Sequence, residues 1–179
     1  NAGIAVNERG AIVVDKQLHT TADNIWAMGD VTGGLQFTYI SLDDYRIVRD
    51  ELLGEGRRST DDRKNVPYSV FMTPPLSRVG MTEEQARESG ADIQVVTLPV
   101  AAIPRARVMN DTRGVLKAIV DNKTQRMLGA SLLCVDSHEM INIVKMVMDA
   151  GLPYSILRDQ IFTHPSMSES LNDLFSLVK

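Results

Sequence analysis

The chain has 179 residues, 44% of them apolar and 23% charged, with a formal net charge of −4. These values suit a globular chain with room for one good domain and part of another; the acidic balance argues against nucleic-acid binding, and no apolar run approaches the roughly 20 residues that a membrane helix needs. The single cysteine, Cys134, excludes an internal disulfide framework, and the absence of a secretory signal fits a cytoplasmic protein.

The chain opens at Asn1 in what reads as mid-domain, so a longer parent polypeptide is expected. Residues 2–30 read as short strands and turns. Ile4 and Val6 alternate with small or polar neighbours, Asn7-Glu8-Arg9-Gly10 is a turn signal, and Ala11 to Asp15 is a second strand. Ile25-Trp26-Ala27-Met28 reads as an apolar strand running into Gly29-Asp30. An Asp after such a strand, next to a Gly that permits close approach, suits a ribose or ribityl hydroxyl. The same pair also marks any surface turn. A helical pattern follows from about Phe37 to Leu53, ended by Gly54 and Gly56. Residues 57–65 are polar and charge-mixed and read as a solvated linker between a segment 1–56 and a module 66–179.

In that module, Pro67 to Met72 reads as a strand before a Pro74-Pro75 turn. Thr82-Glu83-Glu84 opens a capped helix to about Ser89, closed by Gly90. Strands are expected at Asp92 to Leu98, Arg107 to Met109, Gly114 to Asp121 and Met127 to Cys134, with a hairpin at Asp121-Asn122-Lys123. Ile141, Val144, Lys145 and Met148 repeat at helical spacing between Ser137 and Ala150, and Pro153 to Leu157 opens a short helix. The fold class implied is α+β, an antiparallel sheet with helices on one side.

The last twenty residues carry the chemistry. Ile161 and Phe162 lead into Thr163-His164-Pro165, and Leu171, Leu174, Phe175 and Val178 then repeat at helical spacing. Ser166 and Glu169 form a Ser-x-x-Glu capping box. This places one imidazole on a stiff turn beside one carboxylate, the arrangement of an oriented acid–base histidine. Spacing alone equally allows an ordinary capped helix after a loop histidine. Cys134, on an apolar strand, reads as a buried inert thiol; Met140, Met146 and Met148 read as packing residues, and three scattered histidines show no metal-ligand spacing.

The His-Pro-Ser-x-Ser-Glu run resembles the His-Pro-Thr-x-x-Glu signature of the flavoprotein disulfide reductases. Thr21, Ile25, Trp26, Ala27, Gly29 and Asp30 are similar to that family's second flavin-binding fingerprint. Phe71-x-x-Pro74, Val79 to Glu83, Gly114 to Lys117, Leu128-Gly129-Ala130 and Glu139-Met140-Ile141 stand where its interface-domain motifs stand. The resemblance implies a dimerisation domain of FAD/NAD-linked reductases at 66–179, preceded by the C-terminal part of an FAD-binding domain. It implies FAD held in part by Gly29, Asp30 and the helix start at Phe37 and Thr38. It also implies NAD(P)H as co-substrate, a homodimer through 66–179, and His164, oriented by Glu169, handling protons at a cysteine pair of the other subunit. That pair and the upstream FAD/NAD-binding segment lie outside this chain, so the chain alone is expected to be inactive. Phe37-Thr38-Tyr39, Asp43 to Arg46 and the terminal Ser-Leu-Val-Lys are most similar to a branch of the family tied to reactive-chlorine stress and copper(II) reduction. The alternatives are a non-catalytic dimerisation module and a mercuric-, dihydrolipoamide- or glutathione-type reductase.

Overall fold

In the computed structural model, which describes residues 2–179, the chain divides into two units, one ending at Lys64 and one running from Asn65 to Lys179.

The second unit is built on five antiparallel strands: β1 (Tyr68–Val70), β2 (Leu76–Gly80), β3 (Ile93–Pro99), β4 (Val115–Asp121) and β5 (Met127–Leu133), in the order β1-β2-β5-β4-β3. The register aligns Val79, Ala130, Ala118 and Val96 across four strands, and Leu132, Leu116 and Leu98 across three. Because side chains alternate along a strand, these residues share one face. Two helices cover that face. Helix α4 (Ser137–Asp149) contributes Met140, Ile141 and Val144, and helix α6 (Ser170–Ser176) contributes Leu171, Leu174 and Phe175, all fully buried. Each such side chain gains about 1.5–3 kcal/mol from leaving water, which makes this face the core that holds the C-terminal segment in place. The opposite face carries Arg78, Lys117 and Ser131. There Glu83 of helix α2 (Glu83–Glu88) accepts a 2.6 Å hydrogen bond from the Lys117 ammonium. Thr82 caps α2 through a reciprocal capping box with Gln85. Gly129 sits where β5 passes close under Met81; a Cβ there would lie 2.1 Å from the Met81 carbonyl oxygen.

The fold is therefore the expected antiparallel sheet with its core helices on one side. One local expectation changes. Arg107 to Met109 is not a strand but lies at the end of helix α3 (Pro104–Val108). Pro104 at the first helical position loses no hydrogen bond and presets φ for the helix, and Ala106 is the buried residue that docks it on the core.

In the first unit the long element is α1 (Thr38–Leu53), which ends at Gly54 as the sequence suggests. The strands expected at 4–6, 11–15 and 25–28 are absent. Among the described residues of this unit, only the isolated bridges Val6↔Ile12 and His19↔Trp26 form. Turns at Gly10, Leu18 and Asn24, all at positive φ, redirect the chain before a second residue pair can follow, and Val6, Val13 and Met28 are exposed. The 57–65 segment, read as a solvated connection, is tied to α1. The Asp50 carboxylate accepts the Arg57 and Arg58 backbone N–H groups at 2.8 and 2.9 Å. Ser59 and Asp62 close a capping box around a short 3-10 turn, Thr60–Asp62. No helix among the described residues is long and apolar enough to cross a membrane.

Candidate functional site

Helix α5 (Ser155–Asp159) delivers the chain to the run that ends at His164. Phe162 packs against the core and Met167 is buried within it, so the turn between them is pinned on both sides. The His164–Pro165 peptide is cis. Ser166 Oγ accepts the Glu169 backbone N–H at 3.2 Å, which is half of the expected capping box. The other half does not form. Helix α6 begins one residue later, at Ser170, and the Glu169 side chain turns instead to His164. Its Oε2 and Oε1 lie 2.8 and 3.0 Å from the imidazole Nδ1. A carboxylate gains more from an imidazole N–H, whose ring can carry positive charge, than from a neutral backbone amide.

An ionised carboxylate only accepts hydrogen bonds, so Nδ1 carries the proton and Nε2 holds the lone pair in the neutral ring. The His164 side chain is 66% exposed and that of Glu169 only 30%. The acid is thus seated against the protein while the imidazole presents Nε2 outward. Such a pair can accept a proton at Nε2, stabilise the resulting imidazolium, and return the proton.

Asn172, absent from the sequence expectations, braces this segment. Its side-chain nitrogen donates toward the carbonyls of Leu157, Arg158 and Gln160 at 2.8, 3.0 and 3.0 Å. These are the carbonyls left open where α5 ends. The only local signal was an Asn on the polar side of a helix.

The remaining thiol and histidines are not gathered here. Cys134 is fully buried on the core, and burial, with Asp136 adding to it, pushes its thiol up to about 12. His19 Nδ1 meets Asp15 at 3.0 Å and the ring packs on Trp26. His138 lies against Phe71. Among the described residues no three His, Cys, Asp or Glu side chains converge on a metal position.

In the first unit, Gly29 opens a 3-10 turn, Gly29–Thr32, at φ +78°, a left-handed conformation that favours glycine. A Cβ there would press on Ser41 Oγ at 3.0 Å. Asp30 is exposed, and its carboxylate accepts no hydrogen bond from the described residues. Phe37, the N-cap of α1, has no side-chain acceptor to offer the helix end, and Thr38 is exposed. A carboxylate open to a hydroxyl and a long helix that starts without a side-chain cap fit the polar groups of a flavin dinucleotide. The turn is held from behind by Asp44, a buried acid on α1.

A family model described as pyridine nucleotide-disulphide oxidoreductase, dimerisation domain, matches residues 66–175, and one described as pyridine nucleotide-disulphide oxidoreductase matches residues 1–44. The chain is 99% identical over all its 179 residues to the probable pyridine nucleotide-disulfide oxidoreductase RclA of Escherichia coli (strain K12), and it spans 41% of that protein. It is 34% identical over 171 residues to the mercuric reductase of Staphylococcus aureus, covering 96% of this chain and 31% of the relative. Among solved structures, the Cu(II) complex of the HOCl-induced flavoprotein disulfide reductase RclA from Escherichia coli superposes with a TM-score of 0.99 at 98% identity, over 100% of this chain and 41% of that one.

Proposed function

The chain belongs to the pyridine nucleotide-disulphide oxidoreductases, whose dimerisation-domain model matches residues 66–175, and we propose that it serves an FAD-dependent, NAD(P)H-consuming homodimer as the subunit interface and the proton-handling group. One observation carries the reading: His164 Nδ1 lies 2.8 Å from Glu169 while the ring stays exposed. That fixes the tautomer and points the basic nitrogen away from its own subunit's core. His164 takes a proton at Nε2 from a thiol of the partner subunit and gives it back when the thiol pair is regenerated. Glu169 holds the ring and stabilises its charged form. Asp30 offers its carboxylate to a hydroxyl of the cofactor's sugar chain, and the α1 start at Phe37 and Thr38 places backbone dipoles where the reduced cofactor carries negative charge. FAD, when bound, supplies the two-electron relay between nicotinamide and thiols. Copper(II) is the acceptor we favour, supported by the Cu(II) complex of the Escherichia coli relative; here copper is substrate, not a resident metal.

The test uses the Escherichia coli relative, substituted at the matching position. His164→Ala should slow turnover through the thiols on the order of 10²–10⁴-fold while FAD stays bound. Unchanged turnover would remove His164 from the mechanism.

A second reading, a dimerisation module without catalysis, draws on Cys134, a buried thiol raised to about 12 and so unsuited to exchange. Light scattering and flavin absorbance on the isolated chain separate the two. A colourless dimer favours the module, and a yellow one a retained cofactor site.

A further inference from the structure

Asp44 is 2% exposed, in the second turn of a helix whose neighbouring positions Leu42 and Tyr45 are exposed. A buried carboxylate needs charged or strongly donating partners, and Asp44 has both. Oδ1 pairs with the Arg63 guanidinium, and Oδ2 accepts the Gly29 backbone N–H at 2.6 Å. Arg63 is itself fixed: its Nε donates to Asp43 Oδ2 at 2.8 Å, and Asp43 Oδ1 accepts Arg58 Nη2 at 2.8 Å. A continuous line therefore runs Arg58, Asp43, Arg63, Asp44, and ends on the amide of the glycine that precedes Asp30.

Gly29 holds a left-handed φ of +78°, and a glycine gains no steric support for that conformation from its own side chain. Its amide, drawn onto a rigid buried acceptor, supplies the support instead. The turn is also closed locally. Thr32 Oγ1 donates to the Gly29 carbonyl at 2.9 Å, and the Gly33 N–H to the Asp30 carbonyl at 3.0 Å. Those two bonds shape the turn; the Asp44 bond ties it to α1. Asp30 and the α1 start are the two groups assigned above to the cofactor, and one hydrogen bond links the elements that carry them.

We propose that Asp44, locked by Arg63, is a positioning residue for the cofactor turn: by accepting the Gly29 N–H it fixes Asp30 relative to the N-terminus of α1. The proposal rests on the flavin reading given above. Asp44 touches neither cofactor nor substrate and acts only through Gly29.

The experiment compares Asp44→Asn and Asp44→Leu, at the matching positions of the Escherichia coli flavoprotein. Both variants break the ion pair with Arg63, so both should lower thermal stability by similar amounts. Only Asn keeps an oxygen that accepts the Gly29 N–H. FAD affinity, measured by fluorescence titration of the apoprotein, should stay within about threefold of wild type for Asn. For Leu it should weaken by about tenfold or more, the loss expected when a bond to a charged acceptor goes, and the visible flavin absorption band should shift. If Asn and Leu bind FAD alike, strongly or weakly, the positioning role is wrong while the flavin site stands. If the wild-type apoprotein takes up no FAD, the flavin site itself is wrong, and the role of Asp44 falls with it.

Discussion

The Asn172 side-chain nitrogen lies 2.8 Å from the Leu157 carbonyl oxygen, fifteen residues away, and shares its two hydrogens with the carbonyls of Arg158 and Gln160. Helix α6 thereby caps the end of α5 from outside, and the three residues between Gln160 and His164 start from a fixed point.

Replacing Asn172 by Leu keeps the branched shape of the side chain, with more bulk, and removes the donors. The Leu157 and Arg158 carbonyls left without a donor are part-buried, so the loss should cost about 1–3 kcal/mol. We predict a lower urea midpoint with an unchanged slope. Asn172→Asp should cost more at neutral pH, because a carboxylate would then face three carbonyl oxygens. A midpoint unmoved by Leu would show that water replaces the amide without penalty.

Glu169→Gln retains the Ser166 bond to the residue 169 backbone N–H and so should leave folding nearly unchanged. It removes the charge that stabilises a protonated His164. Turnover in the full-length relative is expected to fall by about 10- to 100-fold, less than the loss for His164→Ala. Because the two side chains act as one unit, the double variant should be no slower than His164→Ala alone. Additive losses, measured as kcat, would mean that they act separately.

Acid should loosen the first unit through Asp43. Burial pushes this carboxyl up, but the Arg63 hydrogen bond and the charges of Arg58 and Arg63 outweigh it and hold it below the ordinary range. A carboxyl depressed in the folded state binds its proton later than in the unfolded chain. Its stabilisation is therefore complete above the unfolded value, about pH 4, and is lost as pH falls through the lower folded value. Trp26 is the single tryptophan of the chain and lies in this unit, so its emission reports the transition. Asp43→Asn should flatten the acid dependence of that signal; an acid limb of equal steepness in the variant would assign the effect elsewhere.

Cys134 should be silent toward thiol reagents in the folded protein and titrate fully in guanidinium. Its thiol is raised to about 12 by burial, with Asp136 adding to the effect. The sign is opposite to that of Asp43: the unfolded chain releases this proton near pH 8.5–9 and the folded chain does not, so stability should decline as pH rises through that window. Rapid native labelling at pH 8 would show that the core opens around β5.

Much of the fold was legible in the sequence because it rests on local periodicity. Helix α1 ends at its glycine, α4 follows its three-and-four repeat, and Thr82 caps α2 through Gln85, three residues on. His164 and Glu169 were legible for the same reason: five residues and a proline set their separation. The reading failed where pattern met three dimensions. Arg107 to Met109 has strand-like composition, yet Pro104 starts a helix whose Ala106 docks on the core. The segments before Gly29 look like strands but, among the described residues, pair only through the single bridges Val6↔Ile12 and His19↔Trp26.

Local spacing by itself determined which residues alternate, which turn and which cap, since those preferences are decided within one or two turns of chain. Only the tertiary structure decided that Asn172 closes α5 and that Arg63 reaches back nineteen residues to bury Asp44 against Gly29. Such pairs form because desolvated charges and unpaired amides must find partners wherever packing brings them together. That search runs over the folded surface, and neighbouring residues along the chain carry no trace of its outcome.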